Sequence, residues 1–445
     1  MDVQGGGSDG FGGRPDPRGA PLRVPSFDAY EPLDTASAAR RLSAHEAVAR
    51  RLGGEPGAWS VREVGDGNLN LVFILEGPDG SVCAKQALPY LRVVGEGWPL
   101  PLSRAAFEHG ALLRQAHDAG PGTVPEVLAF DGPQAVIVME NLSGHAIWRG
   151  ALIARQRHET AAPAIGRFCA DTLFRSSDLA LDPAVRKREA AAFAGNAALC
   201  RISEDLIFTD PYHDHPLNAV TPGMEGAVAA MRADAAWRLA IQDWKWAFMS
   251  RAEALLHGDL HSGSVMVSPP GPGEDVRVID PEFAFYGPMG FDLGAALANL
   301  WLNAAAQPGW GPDCREQRDW VLAQGVRLWD SFAHRFATLW RTERRGEAMV
   351  ERVLGDASED ALGPFLARVE RDALGFAGAK MTRRIVGMAG VADLRTIPDM
   401  DARVACETRA LRMAGHLVKE AGAIGTVAAA TDMARDLLRP EGETA

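Results

Sequence analysis

Apolar positions in the first third of the chain fall in short β-branched or alternating clusters, and beyond about residue 145 they recur at helical spacing. Asp34 or Thr35 can cap a helix over Ala38–Arg51, with Leu42, Ala47 and Val48 on one face and Gly53-Gly54 ending it. A strand over Trp59–Val64 leads to Gly65-Asp66-Gly67-Asn68, and Leu69–Leu75 resumes the strand pattern. Gly77-Pro78-Asp79-Gly80 reads as a turn before a third strand, Val82–Gln86, that carries Lys85. Residues 102–118 have a helical pattern and contain Glu108. Two further strands, Val127–Phe130 and Ala135–Glu140, flank Asp131-Gly132-Pro133-Gln134. Together these predict a five-stranded antiparallel sheet with one inserted helix.

Helical spacing then dominates, over Ala161–Leu173, Ala235–Leu256, Ala295–Ala305, Trp320–Trp340 and Asp372–Ala389, and the second of these runs directly into His257. The expected class is α+β. A small antiparallel β-rich lobe (25–142) precedes a larger α-helical lobe (143–445), with a hinge near Glu140–Ser143. That is the layout of the protein-kinase-like bilobal fold. Residues 1–24 are rich in Gly, Pro, Asp and Arg and poor in aliphatics, which predicts a disordered leader.

Composition narrows the partners. Hydrophobic residues make up 47% and charged residues 23%, an ordinary balance for a globular protein. A net charge of −12 argues against nucleic acid and requires that any anionic substrate be captured by local positive groups. No apolar run is long enough to span a membrane, and the N-terminus lacks a basic, apolar signal. Cys83, Cys169, Cys200, Cys314 and Cys406 form no Cys-x-x-Cys pair, as expected for reduced thiols in a cytoplasmic protein.

The chemistry concentrates in two segments. One is His257-Gly258-Asp259-Leu260-His261-Ser262-Gly263-Ser264; the other is Asp280-Pro281-Glu282, delivered at the end of the apolar run Val276–Ile279, where strand alternation would turn both acids to one face. Phosphoryl transfer to a hydroxyl needs a carboxylate to accept the proton and further oxygens to hold Mg²⁺ on the nucleotide phosphates. Asp259 fits the first role, and Asp280 with Glu282 the second. Gly65, Asp66, Gly67 and Asn68 can bring backbone N–H groups to phosphate oxygens, although Asp-Gly is also a hairpin signal. Lys85 on the next strand, paired with Glu108, would aim its ammonium at the α- and β-phosphates. His261 is expected to be structural, and Ser264 stands where a protein kinase places a metal-binding Asn. Arg383-Arg384 is an anion-clamp candidate, but neighbouring helical residues diverge by about 100°, so both serve one site only at a helix edge or end. Trp98, bracketed by Gly97 and Pro99, is a candidate cap on a ligand site or a cover for the lobe interface.

After residue 25 the sequence resembles the methylthioribose kinases. The resemblance rests on Gly65–Asn70, Lys85-Gln86-Ala87-Leu88-Pro89-Tyr90, the Glu96–Pro99 tryptophan loop and Phe208-Thr209-Asp210-Pro211. It continues through His257–Ser264, the block Asp280–Asp292 and Arg383-Arg384. Asp-Pro-Glu in place of Asp-Phe-Gly, and Ser264 in place of Asn, separate this family from aminoglycoside and choline kinases. The long Pro/Gly-rich loop Pro269–Asp275 and Gly97 are departures from the pattern. The resemblance implies ATP-dependent phosphorylation of the 1-hydroxyl of 5-methylthioribose in methionine salvage, with Mg²⁺ and a homodimer. It implies Asp259 as base, Asp280 and Glu282 as metal ligands, and Lys85 with the glycine loop as phosphate clamp. Arg383 and Arg384 would clamp the sugar and the γ-phosphate, with Trp98 a further substrate-binding candidate, and adenine would bond the backbone around Glu140, Asn141 and Leu142. The competing readings are a kinase for an aminoglycoside, amino alcohol or other sugar, and a nucleotide-binding pseudokinase.

Overall fold

The computed structural model describes residues 17–19, 22–65, 69–92, 95–311 and 314–440. Its first lobe holds the expected sheet. The strands are β1 (Ser60–Val64), β2 (Asn70–Glu76), β3 (Ser81–Ala87), β4 (Val127–Asp131) and β5 (Val136–Glu140). They lie in the order β1-β2-β3-β5-β4, every pair antiparallel. Phe73, Leu75, Val82, Ala84, Val136 and Val138 point to one face and form a core with Val48, Leu52 and Trp59. The Arg104–Ala119 helix packs on the other face and brings Glu108 beneath β3.

The expected Ala38–Arg51 helix is two helices, Thr35–Leu42 and Glu46–Leu52. Asp34 caps the first through the N–H groups of Ala36 and Ser37. Ser43 ends it, its hydroxyl turned back onto the Arg40 carbonyl, because a short polar side chain competes with the helical ladder. Most of the expected leader lies outside the described residues. Within its described part, Gly19 N–H donates to Glu189 Oε1 at 2.8 Å, and Leu22 packs beside Phe107 and Phe193.

In the second lobe every residue of the Gly290–Ala306 helix is buried. It packs against the Ser358–Val386 helix at a separation that a side chain would prevent: a Cβ on Gly294 would stand 2.6 Å from the Ala373 carbonyl oxygen. The Ala235 helix stops at Ser250 and does not run on into His257. Arg251 turns extended, and Ala254–Leu255 pairs with Tyr286–Gly287 instead. Strand pairing wins there because both faces of that segment are covered, with Ala254, Leu255 and Leu256 all buried. Among the described residues, no helix is long and apolar enough to cross a membrane.

Candidate active site

Lys85 leaves β3 for the space between the lobes. Its ammonium lies 2.8 Å from Glu108 Oε1 and also bonds Asp280. Burial works against the lysine's charge, but Asp280, Glu108 and Glu282 outweigh it and hold the group above its ordinary value. The acids pay for their crowding: burial and the Asp280 and Glu282 charges push Glu108 up to about 8, against the pull of Lys85. Three carboxylates whose oxygens lie within 4.8 Å of one another thus share one ammonium. Even with Arg104 beside Glu282 the acids outnumber the nearby cations, and their hard oxygen donors suit a small divalent cation.

Asp280 and Glu282 meet by a different route from the one the strand pattern implies. The strand ends at Val278, and Asp280 sits in the left-handed region at φ 71°. The chain reverses there, so a turn, not strand alternation, brings the two acids together. Glu282 is buried and held by Asn70 Nδ2 at 3.1 Å, with Arg104 Nε 3.8 Å away. Arg104 donates in turn to the carbonyls of Leu69 and Leu88, which fixes the chain just after the glycine loop. Asn196 donates to the carbonyls of Glu282 and Ala284.

In the helical lobe, Gly258 adopts φ +85°, and a Cβ there would lie 2.1 Å from the Phe283 carbonyl oxygen. Asp292, in the first turn of the Gly290–Ala306 helix, accepts from His257 N–H at 2.7 Å and Gly258 N–H at 3.0 Å. His257 Nε2 reaches the Ile279 carbonyl at 2.8 Å and links the two motif loops. Asp259 is thereby presented to Lys380, Arg384 and His261. Lys380 Nζ lies 2.7 Å from Oδ1, while Arg384 Nη2 and His261 Nε2 stand 3.7 Å and 3.3 Å from Oδ2. Burial pushes the Asp259 carboxyl up, yet Lys380, His261, Arg384 and Arg383 overcome it and hold it well below the usual carboxylate range. His261 is pushed well below its ordinary value by burial and by Arg149, Arg384 and Lys380, against the pull of Asp259.

Arg383 and Arg384 both reach this region, despite their divergence around the helix. Lys380 explains the geometry: positions 380, 383 and 384 are i, i+3 and i+4, which form one helical face with Lys380 between the arginines. Buried guanidinium nitrogens of Arg383 (Nε, Nη1) and Arg384 (Nε) find no partner among the described residues. Ile202, Leu206, Ile207 and Phe283 wall a small cleft whose remaining lining includes Asp259, Lys380 and Arg383. Behind it, Arg149 bonds Asn299 and Ser262 and lies 3.5 Å from Asp393. Arg104, Arg149 and Lys380 escaped the sequence reading, and Asn70 entered it only as the end of the glycine-loop motif, without a role. Only Lys380 carried a usable signal, its helical spacing from the arginine pair.

Gly65 ends β1 in a turn; Asp66, Gly67 and Asn68 lie outside the described residues. Glu140 closes β5, its carboxylate held by Arg277 and the Glu126 N–H, while Asn141 donates to Ser81 and Leu142 is buried. Ser264 spends its hydroxyl on the Asp259 carbonyl at 3.1 Å, with His261 Nδ1 also 3.1 Å away. Trp98 is half-buried on the ribbon formed by Tyr90–Leu91 and Gly95–Pro99, and it does not line the cleft beside Asp259.

A β-rich lobe with a buried lysine–glutamate pair, facing a helical lobe with a loop-borne aspartate and two further acids, defines a small-molecule phosphotransferase; residues 60–335 match the phosphotransferase enzyme family. A methylthioribose kinase of Escherichia coli O45:K1 is 44% identical over 401 residues, covering 88% of this chain and 94% of that one. Methylthioribose kinase 1 of Oryza sativa subsp. japonica is 40% identical, covering 88% and 92% respectively. The chain belongs to the methylthioribose kinase family.

Proposed function

We propose that the chain transfers the γ-phosphoryl group of ATP to the 1-hydroxyl of 5-methylthioribose, a step of methionine salvage. The observation that carries this reading is the make-up of the cleft at Asp259. It offers a carboxylate for a hydroxyl, an apolar wall of Ile202, Leu206, Ile207 and Phe283 for an alkylthio group, and a surplus of cations. Cationic acceptors such as choline or an aminoglycoside would meet Lys380, Arg383 and Arg384 and be repelled.

In this reading Lys85, aimed by Glu108, and the Gly65–Asn68 loop hold the nucleotide phosphates, and the Glu140–Leu142 backbone receives the adenine. Asp280 and Glu282 would hold Mg²⁺, which supplies charge neutralisation on the phosphates. Asp259 orients the sugar hydroxyl and accepts its proton. Arg383 and Arg384 face the charge that gathers on the transferred group. The expected homodimer is tested by light scattering.

Incubation with Mg·ATP and a panel of methylthioribose, ribose, choline and kanamycin tests the assignment. Methylthioribose should be phosphorylated and the cationic acceptors left unchanged. Efficient kanamycin phosphorylation with methylthioribose untouched would overturn it.

A further inference from the structure

We propose that Lys380 is a positioning residue for the transfer step, holding Asp259 ionised through one carboxylate oxygen and leaving the other free to take the acceptor's proton. The proposal rests on the reading of Asp259 as the base, and it extends that reading to a residue outside the two motif loops.

Three observations support it. Lys380 Nζ engages Oδ1 at 2.7 Å, whereas the contacts to Oδ2, from His261 and Arg384, are longer at 3.3 and 3.7 Å. The two oxygens are therefore unequal: Oδ1 is taken by Lys380, and Oδ2, with only the longer contacts, is assigned to the acceptor's proton. The Lys380 side chain is only 3% exposed, and its ammonium lies 4.8 Å from the centre of the Phe291 ring, so it has little freedom to leave. Finally, Asp259 is the only carboxylate in direct contact with Lys380 among the described residues.

The step balances without another reactant. The acceptor oxygen bonds to Pγ as the bond from Pγ to the bridging oxygen breaks and ADP leaves. The acceptor's proton passes to Asp259 Oδ2 and from there to solvent. Lys380 keeps its proton throughout, and its charge offsets that of Asp259 until the proton arrives. The groups facing Lys380 are Asp259 and His261 from the loop, Asp292 from the Gly290–Ala306 helix, and Arg383 and Arg384 from its own helix. Burial and the two arginines bring the lysine down to about 8, against the pull of Asp259. An alkaline limb of activity is therefore expected near pH 8.

The test compares Lys380→Met and Lys380→Arg with wild type, reading kcat against pH, nucleotide affinity and Tm. Lys380→Met should lower kcat by about 10²-fold and leave nucleotide affinity unchanged. Its acid limb should move up by about one to three pH units as Asp259 loses its nearest cation. Lys380→Arg should keep the acid limb and lose the alkaline one, because a guanidinium does not titrate there. An unmoved acid limb in Lys380→Met, or equal losses in both variants with a matching fall in Tm, would overturn the proposal. If Lys380→Met does not fold, Lys380→Arg decides alone: an alkaline limb that persists near pH 8 refutes it. Wild-type activity on another acceptor but not on methylthioribose would refute the substrate reading instead, and the Lys380 comparison would then be run with that acceptor.

Discussion

Replacing Asp292 with alanine removes the carboxylate that holds the N–H groups of His257 and Gly258 at 2.7 and 3.0 Å, immediately before Asp259. Each buried amide left without an acceptor costs about 1–3 kcal/mol. Part of that is returned, because burial pushes the Asp292 carboxyl up despite His257 and the two amide bonds; its charge is held at some cost. A net loss of about 2–4 kcal/mol results. With an unfolding entropy near 2.1 cal/mol/K per residue over a helical lobe of about 300 residues, this lowers Tm by about 3–6 °C. The kinetic effect should be larger. Gly258 is already in a conformation that only glycine adopts easily, and a shift of about 1 Å at Asp259 costs about 10²-fold in kcat. Nucleotide affinity should hold, since the Lys85–Glu108 pair belongs to the other lobe. Thermal melts, nucleotide titration and steady-state kinetics on Asp292→Ala and Asp292→Asn measure all three, with Asn intermediate because its carbonyl can still serve one amide. A Tm within about 1 °C of wild type together with kcat within about twofold would refute the argument.

Asp259→Asn should retain nucleotide binding and lose about 10²–10⁴-fold in kcat; near wild-type turnover would remove Asp259 from the mechanism. The same variant tests the charge cluster. A carboxyl held below its ordinary value stabilises the fold above pH ~4 and loses that contribution as pH falls through the folded value, so the Tm gap to wild type should narrow on acidification. Glu282→Ala should need more Mg²⁺ to reach half-maximal rate; an unchanged Mg²⁺ titration would show that Glu282 is not a ligand. Arg384→Lys keeps a charge but loses the planar fork and should reduce activity on methylthioribose more than it reduces nucleotide affinity, measured by kinetics and calorimetry.

The β-rich lobe was legible in the sequence because strand alternation and glycine turns are local signals, and Lys85, Glu108, Asp259, Asp280 and Glu282 could be named because their motifs span a few residues each. Two local signals misled. Helical spacing up to Leu256 was overridden by pairing with Tyr286–Gly287, and the Asp280–Glu282 alternation was replaced by a turn with Asp280 at φ 71°. What only the tertiary structure decided is the electrostatic setting of Asp259. Lys380 meets Asp259 across 121 positions of sequence, and Asn70 meets Glu282 across 212. Such pairings follow from how whole helices and lobes pack. A charge on an apolar helix looks the same in sequence whether it faces water or a buried carboxylate, and only packing removes the water that would otherwise screen it.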